Sequence, residues 1–242
     1  MISRIYAVII VLIAWTFLHF AVKSAVIPAP WTTVVEFIRL LQMNLAVHLL
    51  SSLARIISAL GISLITGTVI GLWIGLSKRA DQLVSPLVYL LYPLPKIAFL
   101  PLLMILFGLG NSPKILLIAF IIIFQIIIAV RDGVREIPSA LFQSVLSLGL
   151  NQTGLYRHLI LPAIMPKLLT AMRISIGVSI SVLFFAENFA TKWGIGYFIM
   201  NSWLLVDYTA MFSGILALSL LGLIMFSLID MLDKKFCSWV NK

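Results

Sequence analysis

The sequence predicts an all-α integral membrane protein with six transmembrane helices, and three observations carry that expectation. Apolar residues make up 62% of the 242-residue chain and charged residues only 10%, where an ordinary soluble domain carries about 25% charged residues. With a mean hydropathy of +1.15, the chain has too little polar surface to face water on all sides. The apolar residues fall into runs of about 20, long enough as helices to cross a hydrocarbon core about 30 Å thick. The 17 Lys and Arg residues gather at the ends of these runs, where they meet lipid head groups.

The first run, residues 5–22, is longer than a secretory signal core and no small-residue cleavage site closely follows it, so it reads as a retained span. Pro28 and Pro30 open the segment TTVVEFIRLLQM, whose Val35, Phe37, Ile38 and Leu41 suit a separate surface helix on the outer face. The second span covers residues 49–76, where Gly67, Gly71 and Gly75 make a smooth strip for close helix packing. The third, residues 83–107, contains Pro86, Pro93, Pro95 and Pro101, which cannot share an unbroken helix. The interruption there either lines a solute path, with Pro95 and Phe99 on it, or is a structural bend.

The fourth, fifth and sixth spans are residues 114–130, 166–187 and 208–232. In the fifth, Ser175, Gly177, Ser179 and Ser181 form a weakly polar patch that ends in Glu187 and Asn188, with Ser175, Ser179 and Glu187 as candidate path or gate residues. A carboxylate deep in lipid costs about 2.5–3.5 kcal/mol on insertion scales, so Glu187 must face protein or a vestibule. It is either a gate or a buried tie to Arg55, Lys96 or a backbone amide. Arg173 either attracts an anion or snorkels to lipid phosphate.

With the N-terminus placed inside, ten Lys and Arg residues from Arg4 to Lys242 fall on the inner side and four (Lys23, Arg39, Lys114, Lys192) on the outer side. The bias favours both termini in the cytoplasm of a cell bounded by this inner membrane, and it accounts for most of the +9 net charge. Without a basic stripe interleaved with aromatics, no nucleic-acid partner is expected. His19, His48 and His158 lack metal-ligand spacing, so neither metal nor cofactor is expected. The single cysteine, Cys237, excludes an intramolecular disulfide framework.

One sizeable inner loop, residues 131–165, departs from the rest of the chain in composition. Pro138 and Ser139 can start a helix, which Leu141, Phe142, Val145, Leu146 and Leu148 give an apolar stripe. Gly149 is placed to end it, because glycine accepts the left-handed turn of a helix C-terminus. Asn151 can cap a second short helix, and Pro162 and Pro166 are expected to break the path before the next span. Such a compact amphipathic helix either inserts into a groove on a partner or lies on the bilayer.

The stretch ALFQSVLSLGLNQTGLYRHLILPAIMPKLLTAMRISIG, residues 140–177, resembles the EAA loop of binding-protein-dependent ABC transporter permeases. Gln143, Ser144 and Val145 stand at the Glu-Ala-Ala triplet, Gly149 at its glycine, and Leu161 and Pro162 at its Leu-Pro. The triplet departs from the pattern, which removes the acidic residue usually offered to the ATPase; a glutamine there still donates and accepts hydrogen bonds. The segments at residues 48–81, 92–115 and 186–199 look like the nitrate, sulfonate and taurine branch of that family.

The resemblance implies a type I ABC importer permease fold in one domain, residues 1–242. It implies two ABC ATPase subunits, a second permease chain forming a homodimer, an extracytoplasmic solute-binding protein and surrounding membrane lipid as partners. Coupling to the ATPase would fall on Leu141, Phe142, Gln143, Ser144, Val145 and Gly149, with Leu161 and Pro162 fixing the loop exit. The solute would be a small anion such as a sulfonate, nitrate or bicarbonate. The chain carries no Gly-x-x-x-x-Gly-Lys-Ser/Thr phosphate loop, so it is not expected to be an enzyme, and hydrolysis is expected on a separate polypeptide. A channel or secondary transporter without an ATPase, and a vitamin-precursor uptake subunit, are the competing readings.

Overall fold

The computed structural model describes residues 2–239; Lys242 and the side chain of Arg4, both counted on the inner side, lie outside the described residues. Among the described residues the chain is helical throughout, with no strand. The helices are α1 (Ile2–Val22), α2 (Pro30–Leu40), α3 (Ala46–Leu76), α4 (Lys78–Leu91), α5 (Leu100–Phe107), α6 (Ser112–Arg135), α7 (Ser139–Ser147), α8 (Gln152–Leu155), α9 (Leu161–Glu187), α10 (Ile195–Leu204) and α11 (Tyr208–Phe236).

By length and apolarity four helices qualify as spans: Pro30–Leu76, Ser112–Arg135, Gln152–Glu187 and Tyr208–Phe236. The pair Lys78–Leu91 and Lys96–Phe107, bent by 85°, makes a fifth if it is one broken span. The expected first span is α1, whose Tyr6–Val22 part is an apolar helix shorter than the others. Large apolar side chains stand exposed on most of these helices, Ile105 at 80% and Leu83 at 73% among them, as suits a molecule whose solvent is lipid.

Two expectations are corrected. The segment after Pro30 is not a separate surface helix: α2 runs through a π turn at Leu41–Leu45 into α3, giving one helix of 47 residues. No glycine or proline lies between Pro30 and Ala46 to stop it. Phe37 and Leu40 pack with buried Leu45, while Val35 and Ile38 face outward, 68% and 53% exposed.

Nor do Pro162 and Pro166 break the chain before the fifth span. α8 passes through a π turn at Tyr156–Ile160 into α9, forming a continuous helix of 36 residues, about 54 Å at 1.5 Å per residue. The wider turn, in which the Leu161 N–H reaches back to Tyr156 O, opens the helix where the Pro162 ring would crowd the preceding carbonyls. Because the helix exceeds the hydrocarbon thickness, it extends beyond the lipid core.

The chain forms two compact units. In the first, Met1–Ala54 with Phe184–Leu221, the core is Leu45, Ile195, Phe198, Ile199, Ala210 and Ala217. Trp15 on α1 stacks on Phe212 at 5.6 Å and donates its Nε1–H to Pro28 O at 3.0 Å.

In the second unit, Arg55–Leu183 with Gly222–Lys242, α6 is central. On one side a Cβ added at Gly67, Gly71 or Gly75 would lie 2.9, 2.7 and 2.9 Å from Ile126, Val130 and Val134, so α3 approaches α6 as closely as backbone allows. Ile160, Ile164 and Leu168 join Ile126, Val130 and Val134 in one cluster. Arg173, for which the sequence offered an anion or lipid phosphate, has a protein partner, pairing with Asp230 on α11 at 2.8 Å. Beyond α11, Cys237 is 1% exposed, and burial, with Asp233 beside it, pushes its thiol pKa up.

Candidate functional site

The loop after α6 builds a helix that the protein scarcely packs. Pro138 is its N-cap residue, extended at φ −58° and ψ 137°, a position where a missing N–H costs nothing. The Leu141 N–H returns to Pro138 O at 3.0 Å, and Ser139 supplies no side-chain cap. None of the nine residues of α7 is buried. Phe142 leans on the Ile160 cluster, whereas Leu141, Leu146 and Leu148 are 47%, 57% and 77% exposed and Gln143 and Ser144 face outward.

Gly149 ends α7 in the left-handed region at φ +74°, as its position in the sequence predicts. An added Cβ there would meet nothing within 4 Å, so only conformation calls for glycine. Asn151 caps α8, its Oδ1 accepting from the Gly154 N–H at 2.8 Å. Leu161 is 40% exposed and Pro162 half-buried on the continuing helix.

Ion pairs hold the base of this loop, and sequence reasoning missed them. Asp81, in the first turn of α4, takes Arg135 Nη2 at 2.5 Å and accepts from the Ser85 hydroxyl at 2.5 Å. Arg131 donates from Nη1 to Ser85 Oγ at 3.2 Å, pairs through Nε with Asp132 at 3.0 Å, and lies over the Tyr89 ring. Glu136 pairs with Lys167 on α9. The only signal in the sequence is the isolated acid in the stretch SKRAD, and its partners lie some 50 residues on.

In the other unit Glu187 is fully buried. The Ser52 hydroxyl donates to its carboxylate, with Oγ 2.8 and 3.0 Å from the two oxygens, and the Gly196 N–H donates to Oε2 at 2.8 Å. Of the ties the sequence allows, the one to a backbone amide is present. Ser52 Oγ also accepts from the Ile195 N–H at 2.9 Å, and His48 Nδ1 accepts from the Gly194 N–H at 3.0 Å. Gly194 and Gly196 have no room for a side chain: a Cβ would fall 2.4 Å from Glu187 Cδ and 2.6 Å from Phe184 O respectively.

Among the remaining candidates, Pro95 leads a 3₁₀ turn, Lys96–Phe99, between α4 and α5, and Phe99 packs edge-on against Phe120. Lys96 is buried, its Nζ donating to Tyr92 O at 2.7 Å and lying 4.6 Å from the Phe124 ring centre. Ser175 and Ser179 are fully buried. The Ser175 hydroxyl donates to Gln125 Oε1 at 3.0 Å, and that of Ser179 to Ser175 O at 2.7 Å. Beside them, a cavity of about 460 Å³ opens between α6, α9 and the end of α4.

Residues 67–237, well over half of the chain, match the family described as "Binding-protein-dependent transport system inner membrane component". The chain belongs to this family. The taurine transport system permease protein TauC of Escherichia coli (strain K12) is 30% identical over 192 residues, 79% of this chain and 70% of that one. The putative aliphatic sulfonates transport permease protein SsuC of Bacillus subtilis (strain 168) is 32% identical over 223 residues, 91% of this chain and 80% of that one.

Among solved structures, an inward-facing MetNI methionine ABC transporter chain superposes with a TM-score of 0.68 at 18% identity, covering 81% of this chain and 97% of that one. A chain of an amino acid ABC transporter with histidines gives 0.61 at 15% identity, covering 86% and 99%. The fold is that of a type I ABC importer permease, and the chain is a membrane-spanning permease subunit of an ABC importer.

Proposed function

We propose that this permease, acting as one domain over residues 1–242, pairs with a second copy to form the translocation path for a small organic sulfonate. Two separate ATPase subunits drive it, and an extracytoplasmic binding protein delivers the solute. Both termini lie in the cytoplasm. The sulfonate assignment rests on the taurine and aliphatic sulfonate relatives. ATP enters only through its hydrolysis on the partner, because the permease has no phosphate loop of its own.

The observation that carries the coupling assignment is α7: a helix with no buried residue, closed by a glycine in a left-handed turn and rooted in ion pairs at both ends of the loop. An exposed Leu141, Leu146 and Leu148 offer what a groove on a partner takes up, around the polar Gln143 and Ser144 with Val145. Closure of the ATPases would move α7 and, through Leu161 and Pro162, the long α8–α9 helix, switching access between two states. Pro95, Phe99, Ser175, Ser179 and Glu187 are the path and gate residues in this reading.

Gly149→Val tests it in proteoliposomes holding permease, ATPase and binding protein. Insertion and complex formation should survive, solute uptake should fall by about tenfold or more, equivalent to about 1.4 kcal/mol of lost coupling, and ATP hydrolysis should persist. Unchanged uptake would remove α7 from the coupling path.

A further inference from the structure

In the second unit α4 and α6 meet along a polar seam built from matching stripes. On α4, Asp81, Ser85 and Tyr89 stand four residues apart and therefore on one face; on α6, Arg131 and Arg135 have the same spacing. Asp81 Oδ2 takes Arg135 Nη2 at 2.5 Å, and its Oδ1 accepts the Ser85 hydroxyl at 2.5 Å. Arg131 donates to Ser85 Oγ at 3.2 Å, has its Nε 4.0 Å from Asp81 Oδ1, and places its guanidinium carbon 5.3 Å from the Tyr89 ring centre. The carboxylate is fixed from its own helix as well. Ser77 caps α4, its side chain accepting from the Ala80 N–H at 3.3 Å, and the Asp81 N–H returns to Ser77 O at 3.0 Å. Asp81 thus stands in the first turn, where a helix favours an acid. Apolar side chains close the rest of the seam, with Ala80 and Val88 in one buried cluster with Phe124 and Ile127 of α6.

The stripe is a weak source of stability. The side chains of Arg135 and Asp81 are 39% and 20% exposed, and ion pairs so open to water contribute little. Its position gives it another use. Arg135 is the last residue of α6, three residues before the Pro138 that caps α7, so Asp81 grips the root of α7. The far end of α4, a helix of 14 residues and about 21 Å, leads through Pro95 into the Lys96–Phe99 turn, where the chain bends by 85° toward α5. A second tie, from Glu136 to Lys167, runs from the same root to α9. The root of α7 is therefore fixed to two separate elements, and Asp81 is the link to the bent α4–α5 segment.

Resting on the coupling role proposed above for α7, we propose that Asp81 is a positioning residue for transport: it makes the end of α6 and the start of α4 move as one body, so that a displacement of α7 reaches the bent α4–α5 segment and not α9 alone.

The test follows the two routes separately in proteoliposomes holding permease, ATPase and binding protein. In a Cys237→Ser background, Phe99→Cys reports on the bent segment and Ile174→Cys on α9; the native side chains there are 38% and 56% exposed. Labelling by a small thiosulfonate reagent is timed without nucleotide and after trapping with MgATP and vanadate. With Asp81 in place, trapping should change both labelling rates several-fold. Asp81→Asn should abolish the change at Phe99→Cys, keep the change at Ile174→Cys and barely alter the melting temperature; Asp81→Glu, which keeps the charge, should restore the Phe99→Cys response. An undiminished response of Phe99→Cys in Asp81→Asn would overturn the proposal. Loss of both responses, or a large fall in melting temperature, would make the stripe a support of the fold and overturn it as well. If Phe99→Cys is silent even with Asp81 in place while Ile174→Cys responds, the bent segment does not follow α7, and the proposal fails with the coupling role of α7 left standing. If neither reporter responds, that coupling role falls and this proposal with it.

Discussion

Two helix ends in this molecule make the same turn with opposite residues. α7 stops at Leu148 (φ −77°, ψ 3°) and passes into Gly149 at φ +74°; α10 stops at Leu205 (φ −82°, ψ 0°) and passes into Val206 at φ +61°. The left-handed region costs a residue with a Cβ about 1–2 kcal/mol, and a β-branched residue is rarely found there. At α10 the surroundings impose the turn. The Val206 N–H bonds Trp203 O at 3.0 Å and the Asp207 N–H bonds Ser202 O at 2.9 Å, the full pair of a Schellman motif. Ile195, Gly196, Phe198, Ile199 and Ser202 of that helix are buried, and Asp207 goes straight on to cap α11 through the Ala210 N–H at 2.9 Å. At α7 nothing is buried, and of that pair only the bond from Gly149 N–H to Leu146 O, at 3.0 Å, is made. Where packing does not dictate the turn, the residue itself must permit it. α7 is held by local conformation, and α10 by its neighbours.

The largest effect should come from removing what holds α10. Glu187→Leu deprives the buried Ser52 hydroxyl and the Gly196 N–H of their acceptor, and each unsatisfied buried group costs about 1–3 kcal/mol. Thermal unfolding of the purified permease in detergent should shift down strongly; an unchanged melting temperature would mean that this knot does not support α10. Gly149→Val should do the reverse in kind. Its Cβ meets no neighbour, so the penalty of about 1–2 kcal/mol is confined to the loop, and uptake falls while global melting moves little. A loss of melting temperature as large as that of Glu187→Leu would contradict the contrast. Asp207→Ala is smaller still, about 1 kcal/mol for a lost N-cap, and should loosen the α10–α11 corner as read by amide hydrogen exchange in that segment alone.

The same contrast explains what could be read from the sequence. Gly149 and Asn151 were legible because their work is done within three or four residues, and the apolar runs were legible because lipid imposes them by composition. Pro162 misled because a π turn at Tyr156–Ile160 absorbs what a proline ordinarily breaks, and a one-residue widening leaves no mark in hydropathy; Pro166 stands inside α9. For Glu187 the sequence allowed a backbone tie without locating it at Gly196, and it gave no sign of Ser52, 135 residues away. Asp81 was passed over because its partners Arg131 and Arg135 looked complete as inner-loop charges. Val206 carried no signal whatever: valine after a helix suggests continuation, and only Asp207 N–H reaching Ser202 O makes it a stop.

Val206→Gly is the smallest predicted effect and the sharpest test of the comparison. The substitution removes the Cβ penalty of the left-handed conformation, about 1–2 kcal/mol, and forfeits little burial because Val206 is 64% exposed. Against this, glycine loses more freedom on folding, by roughly 0.5–1 kcal/mol. The balance is a gain of roughly 0.5–1 kcal/mol, visible as a slightly higher melting temperature with uptake unaltered. If melting instead falls, the exposed valine side chain is contributing a contact to lipid or to a partner that outweighs its strain, and α10 ends on a surface that something covers. If melting rises as expected, the two helix ends differ only in who supplies the turn: at α10 the packed chain forces it on a residue that resists, and at α7 glycine alone allows it, which is what the coupling role proposed for α7 requires.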